Sequence, residues 1–170
     1  MQLKSLFFLV LILFLFSGCK NDNLKDINNN EYSLSYPKYM VLEDNIDGVE
    51  FILFTERKNV DDTFIENINL IIQDFGNMDL DLDKYVEISE EQISEDNGKL
   101  ISSETKTTEN SKYQRLIYSM KMNNRNLMYL QHYHIHKNKA YILTFSSDKD
   151  EFKNYVDEME KIMLSFKPRN

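Results

Sequence analysis

The chain has 170 residues and a formal charge of −8, which excludes the broad cationic surface that nucleic-acid binding requires. Its single cysteine cannot form an internal disulfide or build a cysteine-rich zinc site. Only four glycines are present, and the sequence contains no glycine-rich phosphate-binding loop. The length fits one domain of ordinary size.

The first 18 residues have the pattern of a secretion signal. Lys4 provides a positive charge, and residues 6–16 form an unbroken apolar run that is too short to span a bilayer core of about 30 Å. Ser17 and Gly18 then precede Cys19, an order that resembles a bacterial lipobox. The resemblance implies cleavage after residue 18 and a diacylglyceryl group on Cys19, with no other cofactor. An ordinary secretion signal with an incidental cysteine is the alternative.

Residues 19–31 are predicted to be the lipidated cysteine followed by a flexible tether. The stretch 20–31 has five Asn and only two apolar side chains, Leu24 and Ile27. Such a composition cannot bury enough apolar surface to order itself. The folded domain is therefore predicted to span 32–170.

Seven segments of alternating or continuous apolar residues predict β-strands. In chain order they are 32–36, 50–56, 64–74, 99–105, 113–122, 126–136 and 139–145. Two-residue turns at 124–125 and 137–138 would join the last three strands. Position 122 then pairs with 127, and position 136 pairs with 139.

Two amphipathic helices are predicted. The first runs from Leu82 to about Ser94, and the second carries an apolar stripe of helical period from Phe152 to Phe166. Asp148 and Glu151 have the spacing of a capping box before the second helix. Both faces of the last three strands are largely apolar, so both need a cover. The fold class is therefore α+β, an antiparallel sheet of six to seven strands flanked by helices in an α/β/α sandwich.

The succession of these elements over residues 32–168 resembles the PsbP-like and DcrB-like domains. The segments that carry the resemblance are YSLSYP, FIENINLIIQDF, LDLDKYVEISEEQI, KYQRLIYSM, KAYILTFS and the final SFKP. It implies an antiparallel sheet flanked by helices, without catalytic machinery. Members are extrinsic subunits of membrane complexes or envelope lipoproteins, and no functional residue of the family carries over to a position here.

Three histidines at alternate positions of one predicted strand are the most specific chemical feature. His132, His134 and His136 would point to one face, with neighbours about 6.6 Å apart. Two such histidines can chelate zinc when a third ligand comes from elsewhere. The predicted register places Arg115 beside His134 and Lys139 beside His136, and these cations oppose a metal ion. The three histidines are therefore only weak metal candidates, and no metal site is predicted.

An anion or small-ligand site on the same sheet face is the other interpretation of this cluster. It would combine hydrogen-bond donors and aromatic ring faces, from Tyr113, Arg115, His134, Lys139 and Tyr141. The interpretation requires Arg115 and His134 to lie on the same face of the sheet.

No catalytic motif supports an enzyme, so none is predicted. We expect a bacterial envelope lipoprotein that is held at the membrane by its lipid and binds a protein partner. The alternative is a small-ligand or metal-binding lipoprotein that uses the face of Tyr113, Arg115 and His134. Lys20, in place of an aspartate after the lipidated cysteine, favours the outer membrane over the inner.

Overall fold

The fold was analysed in a computed structural model that describes residues 23–60, 62–108 and 111–169. The predicted signal peptide and Cys19 lie outside these ranges. Among the described residues, no helix is long and apolar enough to cross a membrane.

Ten strands and two helices make up the described chain. In order they are β1 Leu24–Asn28, β2 Tyr32–Pro37, β3 Val41–Ile46, β4 Val49–Phe54, β5 Asn67–Asp74, α1 Leu82–Glu95, β6 Lys99–Thr107, β7 Lys112–Met122, β8 Arg125–His136, β9 Lys139–Asp148, α2 Phe152–Leu164 and β10 Lys167–Pro168. Seven strands form one antiparallel sheet in the order β3-β4-β5-β9-β8-β7-β6. The remaining three form a small sheet in the order β1-β2-β10.

The two helices lie on opposite faces of the large sheet, which confirms the predicted sandwich. Leu82, Tyr85, Val86 and Ile93 of α1 pack with one set of sheet residues, including Tyr118 and Tyr133. On the other face, α2 and the small sheet pack on a second cluster that contains the fully buried Met159 and Met163. Truncating a buried side chain of this size to alanine costs about 2–5 kcal/mol. Both helices are therefore held by apolar burial, as their sequence periodicity indicates.

The hairpin turns fix which residues of the central strands face each other. Lys137 and Asn138 have φ values of 47° and 60°, the positive values of a type I′ turn, and the predicted pairing of His136 with Lys139 is confirmed. The turn between β7 and β8 is Asn123–Asn124, with φ values of 49° and 65°. Met122 consequently pairs with Arg125, and the predicted turn at 124–125 was wrong.

The pairing register between β7 and β8 thus differs from the predicted one by two residues. Every side chain stays on its predicted face, because side chains alternate along a strand with a period of two. The shift changes the partners across β7 and β8, however. Arg115 lies opposite His132, whereas the predicted register placed it beside His134.

The helix starts differ in how they are capped. The Asp81 carboxylate accepts a hydrogen bond of 2.8 Å from the backbone N–H of Lys84, which caps α1. At α2 the predicted capping box is absent, since Glu151 makes no side-chain capping bond. Asp148 instead accepts a hydrogen bond from Arg125, and Glu151 accepts one from Lys58.

Residues 24–28 correct the predicted tether. They form β1, which pairs with β2 over five residues, from Leu24 opposite Pro37 to Asn28 opposite Ser33. Ile27 is half-buried against the core on the α2 side of the sheet. The ordered domain thus begins before residue 32, because backbone pairing with β2 compensates for the low apolar content of this segment.

If β1 is an integral strand, then Ile27→Ala should lower the free energy of unfolding by about 1–2 kcal/mol, less than a fully buried isoleucine because its side chain is only half-buried. Urea unfolding of the purified protein measures this. Lys25→Ala, on the exposed part of the same strand, is the matched control and should change stability little. Equal stabilities for Ile27→Ala and the parent protein would contradict the assignment.

Candidate functional site

A cleft of about 380 Å³ lies beside β7 and β8, where the C-terminal end of α2 leads into β10. Histidine and aromatic side chains meet apolar ones in its lining. The lining residues are Thr108, Ser111, Tyr113, His132, His134, His136, Met163, Leu164, Phe166, Lys167 and Pro168. The cleft is large enough for a small organic ligand, since such sites begin at about 300 Å³.

All three histidines line this cleft because they alternate along β8. His132 is fully buried, and His134 is only 5% exposed. His136 is half-buried at the strand end, where its Nε2 lies 2.9 Å from the carbonyl oxygen of Arg169. The histidine stripe therefore runs from the protein interior to the surface.

Aromatic rings surround the two buried imidazoles. The Tyr113 ring stacks on His134 with a centroid distance of 5.2 Å and an angle of 19°, and it lies 4.6 Å from His132. Phe166, which follows α2, lies 5.3 Å from His134. These contacts leave the ring edges of the imidazoles as their hydrogen-bonding surface.

An ion pair between the sheet and α2 controls the charge beside the cleft. Arg115 of β7 donates from Nε and Nη2 to the two carboxylate oxygens of Glu160, at 2.6 and 2.9 Å. Nε2 of His132 lies 3.5 Å from Oε1 of Glu160, at the outer limit of a hydrogen bond. His132 and the Arg115 guanidinium hold the pKa of the Glu160 carboxyl down at about 2. The Arg115 charge is thus neutralised by Glu160.

The buried imidazoles have few polar partners. Nδ1 of His132 and both ring nitrogens of His134 lack a hydrogen-bond partner among the described residues, and Nε2 of His132 has only the long approach to Glu160. Burial lowers the pKa of both histidines, and that of His134 falls to about 3. Each unsatisfied buried polar group lowers the free energy of unfolding by about 1–3 kcal/mol, so the two buried imidazoles destabilise the folded protein.

The structure places the five residues of the predicted ligand site on one side of the sheet but not in one cluster. Tyr113 and His134 meet at the cleft. Arg115 lies on the same face as His134 and binds Glu160. Tyr141 pairs with His134 across β8 and β9 and packs on Phe166, whereas Lys139 binds Glu31 at 2.7 Å.

No group of three or more His, Cys, Asp or Glu side chains is placed to hold a metal ion within the described ranges. His132 and His134 have ring centroids 6.4 Å apart. The carboxylate nearest to them, Glu160, is occupied by Arg115.

Sequence reasoning missed the contributions of α2 and β10 to this site. Glu160 lies one turn from Val156 and Met163 on the edge of the apolar helical stripe, and that position was the available signal for a sheet-facing carboxylate. Phe166 was recognised as apolar, but only the chain path after α2 places it against His134.

Comparison with known proteins agrees with this architecture. The sequence profile of the PsbP family matches residues 23–168. The chain belongs to the PsbP family. The predicted resemblance is confirmed. The match begins at residue 23 and therefore includes β1.

Solved structures show the same fold at low sequence identity. Cyanobacterial PsbP (CyanoP) from Synechocystis has a TM-score of 0.64 and 17% identity, over 89% of this chain and 95% of that chain. LpqN of Mycobacterium tuberculosis, described as involved in cell envelope biogenesis, has a TM-score of 0.64 and 12% identity, over 86% and 91%. PA94 of Pseudomonas aeruginosa has a TM-score of 0.62 and 14% identity, over 87% and 99%. No curated protein sequence matches this chain significantly.

The buried histidines predict a pH-dependent stability. Between about pH 6.5 and pH 3, the unfolded chain protonates His134 while the folded protein does not, so the free energy of unfolding falls as pH falls. The slope is about 1.4 kcal/mol per pH unit for one such group. Urea unfolding of the parent protein and of His134→Gln at pH 6 and at pH 5 tests this. Both pH values lie above the range in which the lowered pKa of Glu160 affects stability. We expect a shallower slope for His134→Gln, and equal slopes would contradict the burial of a neutral imidazole.

Proposed function

We propose that this PsbP-family protein is a lipid-anchored protein of the bacterial envelope whose domain acts as a non-enzymatic binding module. The proposal on location is supported by the apolar run before Cys19 and by the position of the only cysteine in the chain. It is also supported by the fold shared with LpqN, a protein described as involved in envelope biogenesis. Lys20 after the cysteine favours the outer membrane.

The chemistry at the cleft supports binding rather than catalysis. A general base works best when its pKa lies near the working pH. Burial moves the pKa of His134 away from neutrality, to about 3, so the ring is a weak base. Arg115, a charged group beside the cleft, is held by both oxygens of Glu160.

The observation that carries the binding function is the pair of buried imidazoles at the cleft. Their unpartnered ring nitrogens are a cost to folding that a bound ligand would offset through hydrogen bonds. Because these nitrogens are fully buried, a ligand reaches them only when a neighbouring side chain moves. A neutral imidazole offers one donor and one acceptor, so the cleft suits a small uncharged ligand that has both.

Thermal unfolding of the lipidated protein in detergent should detect such a ligand. Benzamide and benzoate are a matched pair of probes, because they share a shape and differ in charge and in the N–H donor. We expect benzamide to raise the melting temperature more than benzoate, because only benzamide is uncharged and carries an N–H donor. A ligand at 100 times its Kd stabilises the folded protein by about 2.7 kcal/mol. Zinc and phosphate are the remaining probes.

The effect of benzamide should be lost in His134→Ala. Gln131→Ala is the matched control, because Gln131 lies on the same strand but does not line the cleft. The cleft is not a binding site for small ligands if none of the four probes shifts the melting temperature. A shift that survives in His134→Ala would place the site elsewhere.

A protein partner is the second candidate function, and one edge of the large sheet favours it. β6 is an edge strand on which Leu100 is 39% exposed and Ile101 is 54% exposed. An edge strand leaves backbone N–H and C=O groups free to pair with an added strand. The register shift between Leu100 and Ser102 interrupts its pairing with β7.

Site-specific photo-crosslinking in the native membrane tests this surface. A photoreactive residue at Ile101 should form a discrete crosslinked species of defined mass if β6 contacts a partner. The same residue at Val60, which is 90% exposed in a loop, is the control and should form no such species. An identical crosslinking pattern at the two positions would argue against a partner at β6.

A further inference from the structure

Exposed apolar side chains surround the point where the chain enters the domain. Leu24 at the start of β1 is 41% exposed, Tyr39 is 40% exposed and Val41 at the start of β3 is 54% exposed. We call the surface formed by residues 23–25 and 37–42 the entry face. Its other exposed apolar residue is Leu42, at 37%.

Backbone contacts hold the two segments of the entry face together. The N–H of Lys38 donates to the carbonyl of Asn23 at 2.9 Å, and Leu24 pairs with Pro37. Met40 is 2% exposed and anchors the turn between β2 and β3 in the core. Tyr39 donates from its hydroxyl to Glu158 of α2 at 2.7 Å. The apolar side chains are therefore presented by a fixed backbone.

The charge of the entry face is opposite in sign to that of the whole chain. Its two segments contain Lys25 and Lys38 and no acidic residue, although the chain carries a formal charge of −8. Carboxylates border the face: Asp26 accepts a hydrogen bond from Ser35, Glu158 accepts one from Tyr39, and Glu43 follows Leu42 in β3. Apolar side chains flanked by lysines suit a surface of anionic lipid headgroups.

The length of chain before the domain sets the position of this face relative to the lipid. Only four peptide units separate Cys19 from Asn23. At the maximum extension of about 3.6 Å per residue, they span at most about 14 Å. An acylated Cys19 would therefore hold Asn23, where the entry face begins, within about 14 Å of the lipidated residue, so the domain would stay close to the bilayer.

We propose that the entry face lies on the headgroup layer of the membrane, with Leu24, Tyr39 and Val41 in contact with lipid. This inference rests on the proposed lipidation of Cys19. It gives the domain a fixed orientation. β3 and β6 are opposite edges of the seven-stranded sheet, so six strand spacings of about 4.8 Å place them about 29 Å apart.

A single introduced tryptophan can test the orientation, because the natural chain has none. Val41→Trp places the probe in the entry face, and Val60→Trp is the matched control at an exposed position outside it. The lipidated variants are reconstituted in phosphatidylcholine vesicles that contain phosphatidylglycerol and lipids spin-labelled near the headgroup. We expect the Val41→Trp fluorescence to be blue-shifted and quenched at least about twofold more than that of Val60→Trp, because an interfacial side chain lies at headgroup depth.

A charge reversal provides the second measurement. Lys25→Glu with Lys38→Glu should reduce the quenching of Val41→Trp in vesicles with phosphatidylglycerol, since the lysines would no longer attract anionic lipid. Both lysines are exposed, so the folded domain should tolerate the change. Unchanged quenching in this variant would overturn the electrostatic part of the inference.

Vesicle sedimentation separates this inference from the proposed lipid anchor. Protein that fails to sediment with vesicles, and behaves like Cys19→Ser, would overturn the proposed anchoring. Protein that sediments but shows equal quenching at positions 41 and 60 would overturn the orientation alone. A blue shift of Val41→Trp in detergent that grows with protein concentration would instead identify a second copy as the occupant of the face, and it would also overturn the proposal.

Discussion

The two hydrogen bonds between Arg115 and Glu160 are the constraint on which the cleft depends. They connect β7 to α2 across the sheet face, and both side chains are largely buried. Removing one partner of a buried charge pair leaves the other charge without compensation. The pair therefore does two things at once. It holds α2 against β7, the neighbour of the strand that carries His132 and His134. Its guanidinium and carboxylate together add no net charge beside the cleft.

This neutral setting explains why the imidazoles can be buried uncharged. A charged imidazole would face desolvation and, at His132, repulsion from Arg115. The approach of Glu160 to Nε2 of His132 is too long to offset that cost fully. The stacked ring of Tyr113 contributes packing but accepts no hydrogen bond from His134. Polar groups that are buried without partners weaken a fold, so their presence at a cleft, and not in the middle of the core, favours recognition as their role.

The sequence predicted the parts of the fold that follow from side-chain periodicity. α1, α2 and the faces of β7, β8 and β9 all depend on alternation or helical repeat, and they were confirmed. Features set by backbone geometry were missed. The Asp47–Gly48 turn defines β3, where Gly48 has a φ of 75°. Two asparagines with positive φ moved the β7–β8 turn by one residue and its pairing register by two. That shift decided which histidine faces Arg115. β1 was also missed, because its ordering comes from pairing with β2 and not from its own composition.

The ordering of β1 also changes what the lipid anchor can do. A flexible segment of a dozen residues would let the domain sample many distances and orientations, whereas a short link into a paired strand would fix both. The same strand brings its first residue beside the turn before β3, where apolar side chains and lysines are exposed together. β6, at the opposite edge of the seven-stranded sheet from β3, is then the strand furthest from that turn. A lipid-proximal edge at β3 and a free edge at β6 would give the domain two ends with different tasks, and the histidine cleft lies beside β7 and β8, near the free end.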